Sequence, residues 1–106
     1  MIGTTSNCVA VGVPDLEAAL EYYSAVFGFN EVDRGSDWIE IKTGALRLFL
    51  CPEDGRGPCF DIQTGDVPNV VKTIVESGGE HYMDLKDESF VQDKYGVCFC
   101  VSNLGS

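Results

Sequence analysis

A chain of 106 residues is the length of one domain, with 44 % apolar and 23 % charged residues, as in an ordinary globular protein. Seventeen acidic against seven basic side chains give a net charge of −10, which repels phosphate backbones and anionic lipid and makes nucleic acid and membrane poor partners. No run nears the roughly 18 apolar residues of a membrane helix, and no basic, apolar leader opens the chain, so a cytoplasmic location is expected.

The first element is a strand, because Val9, Val11 and Val13 alternate with Cys8, Ala10 and Gly12. Asp15 is placed to cap a helix whose stripe is Leu16, Ala19, Leu20, Tyr23, Val26 and Phe27, ended by Gly28. Strands are expected near 29–33, 37–43 and 45–51. A joint follows at 52–58, rich in glycine, proline and charge. The order then repeats: a strand near 59–64, and a helix capped by Asp66 and striped by Val67, Val70, Val71, Ile74 and Val75. Gly78 and Gly79 stop that helix, and strands follow near 80–85, 89–94 and 97–102.

The repetition is quantitative. Cys8, Asp15 and Gly28 recur 51 residues later as Cys59, Asp66 and Gly79, and the stretch from Gly44 matches the stretch from Gly96 at an offset of 52. One domain, 1–106, is therefore expected from two βαβββ modules, about 1–51 and 58–106. Two helices cannot cover both faces of eight strands, so an α+β fold with a curled mixed sheet is expected, helices on its convex side and a pocket on its concave side.

The phrase from Val13 to Phe29, Val-Pro-Asp-Leu-Glu-Ala-Ala-Leu-Glu-Tyr-Tyr-Ser-Ala-Val-Phe-Gly-Phe, resembles the hallmark of the vicinal oxygen chelate superfamily. Gly65-Asp-Val-Pro-Asn-Val-Val and Ser77-Gly-Gly resemble its second helix. The superfamily includes glyoxalase I, ring-cleaving dioxygenases, epimerases, fosfomycin enzymes and bleomycin-sequestering proteins. The resemblance implies a divalent metal held by His and Glu from the first and last strands of each module. Those positions read Cys8, Leu48, Cys59 and Cys100, none of them His or Glu. The Asp-Pro-Asp-Gly-Asn turn usual before the last strand is reduced to Asp93-Lys-Tyr-Gly96.

Five cysteines, without a CxxC pair, argue against a disulfide framework. In a dimer of the superfamily's type, Cys8 of one chain meets Cys59 and Cys100 of its mate, and three thiolates could hold zinc. The plainer reading is that the cysteines are small buried hydrophobes and that no metal or other cofactor is bound. A Cys/His pair would need His81, the single histidine, which the pattern places away from these positions.

Period-two alternation assigns Cys8, Ala10, Gly12, Cys59, Asp61 and Gln63 to the pocket. It adds Trp38, Glu40 and Lys42, then Leu46, Leu48 and Leu50, and finally Cys98, Cys100 and Ser102. Trp38 is the expected stacking residue, and Glu40 and Asp61 the candidate partners of a cationic ligand. The expected function is metal-independent sequestration of a small organic molecule by a homodimer. The alternatives are a metal-dependent lyase or dioxygenase with an atypical cysteine-containing site, and a subunit whose pocket is vestigial.

Overall fold

The computed structural model describes residues 3–52, 57–85 and 87–104; most of the expected joint, residues 53–56, lies outside them. The described chain runs β1 (Thr4–Val13), α1 (Leu16–Phe27), β2 (Asn30–Arg34), β3 (Ile39–Lys42) and β4 (Arg47–Pro52). It continues as β5 (Cys59–Thr64), α2 (Val67–Glu76), β6 (Glu80–Leu85), β7 (Glu88–Gln92) and β8 (Cys98–Asn103). The fold is thus α+β, with βαβββ written twice. By contacts it divides into two compact units, Asn7–Pro58 and Met1–Ser6 with Cys59–Ser106.

In the Asn7–Pro58 unit the strands lie in the order β2-β3-β4-β1. β1 and β4 are parallel, and β2, β3 and β4 follow antiparallel. α1 begins where the Asp15 carboxylate accepts from the Ala18 amide at 3.1 Å, satisfying a donor of the first turn. It ends at Gly28, whose φ of +74° suits a residue without Cβ. Beneath it Ile39, Ile41 and Leu50 are buried, with Val11, Val13, Leu16, Ala19, Leu20, Tyr23, Phe29 and Leu48 packed against them. Val26 and Phe27, expected in the helix stripe, are instead more than half exposed.

The other unit repeats the order as β5-β8-β7-β6, with β5 and β8 parallel. Asp66 caps α2 by accepting from the Asn69 amide at 3.2 Å. Val70, Val91 and Val101 form the buried centre under α2, joined by Val67, Val71, Ile74 and Phe99. Val75, assigned to the same stripe, is exposed. Residues 3–6 belong here rather than with the first module. A Cβ on Gly3 would stand 2.6 Å from Ile62 Cγ2, and the Ser6 hydroxyl donates to Asp61 at 2.7 Å.

The repeat is finer than the sequence offset suggests. Strand partners Cys8↔Arg47 and Ala10↔Phe49 in one unit correspond to Cys59↔Cys98 and Asp61↔Cys100 in the other. The last strands are therefore related by 51 residues, although the glycines before them are 52 apart: β4 begins three residues after Gly44, and β8 only two after Gly96. Even the irregularities recur, since each first antiparallel pair slips register once, between Glu31 and Asp33 and between His81 and Met83. The left-handed counterpart of Gly28 is Gly78, at φ +103°; Gly79 is needed for close approach, a Cβ there meeting Gln92 O at 2.6 Å.

Candidate functional site

The face of each unit turned away from its helix carries the candidate residues. In the Asn7–Pro58 unit, the packing of Leu48 and Leu50 against the α1 core corrects their expected place in the pocket. Counting four residues from Gly44 lands one short, because that turn is one residue longer than its counterpart. Alternation then puts Arg47, Phe49 and Cys51 on the open face, beside Cys8, Ala10 and Gly12 of β1. Arg47 and Phe49 were missed. The signal that could have found them is the apolar pair Leu48 and Leu50, which belongs on the helix side.

On that face Glu40 is buried, at 7 % exposure, and its two oxygens accept from Arg47 Nε at 2.7 Å and Nη2 at 3.1 Å. This fork holds the Glu40 carboxyl below the usual range despite burial, and raises Arg47. The guanidinium lies over the Phe49 ring, 5.3 Å from its centroid. Trp38 is half-buried, its ring 6.0 Å from Phe49 and tilted by 54°. Gly35 makes room for that indole: a Cβ there would stand 2.2 Å from Trp38 Nε1. Cys8 is half-exposed and pairs with Arg47 across the strands.

On the open face of the second unit Asp61 accepts from two hydroxyls, Ser6 at 2.7 Å and Ser102 at 2.9 Å. Both Asp61 and Glu40 are thus engaged internally, which does not suit the expected pairing with a cationic ligand. Cys59 and Cys98 are buried strand partners, and the Tyr82 hydroxyl lies 3.4 Å from Cys59 Sγ. Burial and then the Cys59 contact push the Tyr82 phenol far above its ordinary value. The buried Cys100 thiol donates to Glu88. Burial first, and the Glu88 carboxylate second, push its pKa far up and keep it protonated. Tyr82 and Glu88 carried no signal in the sequence, since only register brings them to these thiols. His81 pairs with Asp84 at 2.7 Å on β6 and joins neither group.

The metal implied by the superfamily resemblance does not fit these residues. One of the four ligand positions is apolar whether Leu48 or its open-face neighbour Phe49 is taken, and Cys100 is a protonated thiol bonded to a carboxylate. Among the described residues no three His, Cys, Asp or Glu gather to surround an ion.

The family model of the Glyoxalase/Bleomycin resistance protein/Dioxygenase superfamily matches residues 5–99. The chain belongs to this superfamily. Its fold is shared with solved members of low identity. A Streptomyces coelicolor methylmalonyl-CoA epimerase variant, in complex with 2-nitronate-propionyl-CoA, matches at 19 % identity and a TM-score of 0.64, covering 98 % of this chain and 99 % of that one. A superfamily member from Vibrio splendidus matches at 16 % identity and TM-score 0.63, covering 94 % and 98 %. Methylmalonyl-CoA epimerase from Mycobacterium tuberculosis matches at 16 % and 0.55, covering 99 % and 91 %. No curated protein matches the sequence. At such identities the likeness is one of fold, and chemistry has to be argued from the residues.

Proposed function

We propose that this superfamily member binds a small planar organic molecule and does so without metal-assisted chemistry. The observation that carries the reading is the aromatic pair Trp38 and Phe49 on a strand face floored by Ala10 and Gly12, with Trp38 seated on Gly35. Rigid rings beside small residues leave room for a flat ligand to stack. Metal catalysis is set aside because the four ligand positions offer thiols and an apolar side chain. Cys8 remains a contact of this ligand-binding face, with Leu48 behind it.

Trp38 is the one tryptophan, so its fluorescence reports the site directly. Titration with flat aromatic compounds such as 2-naphthamide should quench it equally with and without EDTA. Quenching that appears only after adding zinc or another divalent ion overturns the proposal, as does stoichiometric zinc in protein purified without chelator. We further propose a homodimer, the arrangement that would protect the edge strands β2 and β6. Size-exclusion chromatography at the mass of one 11.5 kDa chain would overturn that.

A further inference from the structure

We infer that the ligand taken by the Trp38–Phe49 face is an aromatic carboxylate, its acid group held by the outer edge of Arg47 and by Lys42. The inference rests on the stacking platform proposed above and adds the charge of what stacks there. It begins with an inventory of charged groups. Glu40 is a poor partner for a cation, because it is buried and both its oxygens already accept from Arg47. What Glu40 does is hold the guanidinium in place over Phe49.

Arg47 has more to give than Glu40 takes. The fork uses Nε and Nη2, the side chain is 46 % exposed, and Nη1 makes no hydrogen bond among the described residues. A guanidinium carries five N–H donors, so an outward-facing edge is left for a second acceptor. Lys42 is the strand partner of Arg47, shares its face by alternation and is exposed. Two cations therefore stand side by side at one end of the β3–β4 ladder.

Among the described residues of this unit's strands, the other acidic group on this face is Asp33, paired with Glu40 from the edge strand β2, where its Oδ1 accepts from the Arg34 amide. The charges of Lys42, Arg47, Glu40 and Asp33 cancel, so polarity along the ladder, not net charge, selects the ligand. Cations lie at the Lys42–Arg47 end, Phe49 follows one alternate position on, and Trp38 lies beyond. Alternate residues on a strand are about 7 Å apart. That is the span from a carboxylate to the rings of a one- or two-ring aromatic acid. The chain's overall charge of −10 slows the approach of an anion, but screening confines this to about 10 Å at ordinary salt, and the local donors decide the bound state.

Three isosteric probes separate the possibilities: 2-naphthoate, 2-naphthamide and 2-naphthamidine, titrated calorimetrically against the full chain. Naphthoate should bind roughly tenfold tighter than the amide, the worth of one charge-assisted hydrogen bond, and the amidine should bind most weakly. Lys42→Met should weaken naphthoate alone. Arg47→Gln strands the buried Glu40, so the double variant Glu40→Gln/Arg47→Gln is the cleaner test, with circular dichroism as the folding control; it should equalise acid and amide. Equal binding of acid and amide to the wild type, or tighter binding of the amidine, overturns the carboxylate assignment while leaving the platform. Binding of none of the three overturns the platform as well.

Discussion

At the scale of single residues, the correction at β4 has a measurable consequence. Leu48 and Leu50 belong to the core under α1, so Leu50→Ala should cost about 2–5 kcal/mol in urea denaturation. Phe49→Ala, on the open face, should cost less and weaken ligand quenching of Trp38. A Leu50→Ala variant of wild-type stability would put the residue back on the open face. Gly35 gives a second check: the Cβ of Gly35→Ala collides with the indole, so Trp38 emission should shift to the red. The Glu40 pair sets a pH dependence. Its carboxyl is lowered from 4.5 in the folded chain, so the pair's stabilisation is complete above that value and fades as pH falls through the lower folded one. Glu40→Gln should flatten the acid limb of a stability–pH curve; an unchanged limb would show the pair contributes nothing. Cys100, held as a thiol by burial and Glu88, should resist iodoacetamide at pH 8 in the native state and react in urea.

Among the elements, the helices were legible because their signals are local. Asp15 and Asp66 each accept from the amide three residues on, as the sequence spacing required. The glycines were read less well. One positive φ lies at Gly28, but its partner is Gly78, and Gly79 is there for close approach. Gly28→Ala meets no atom within 4 Å and should cost about 1–2 kcal/mol by its backbone angle alone. Gly79→Ala should cost more, because the new Cβ meets backbone oxygens of Gln92 and Ile74 that cannot swing aside. Thermal unfolding of the two variants orders them, and the reverse order would overturn this division of roles. Strand facing failed at β4 for a related reason: alternation gives two faces but not which is inward, and the Gly44 turn is one residue longer than its counterpart.

For the whole molecule, the sequence by itself determined the α+β class, the doubled βαβββ order, the two caps and the superfamily. The first three rest on local spacing or on a repeat that survives in linear order, and the superfamily on the resemblance of the Val13–Phe29 phrase and the family match over residues 5–99. Only the tertiary structure decided which side of β4 is buried and that Arg47 engages Glu40. It also decided that Asp61 is satisfied by Ser6 and Ser102, and that Cys100 is silenced by Glu88. These partners are as much as 55 residues apart, and strand register alone brings them within hydrogen-bond reach. Register depends on the length of every intervening turn, and a change of one residue there exchanges the two faces of a strand.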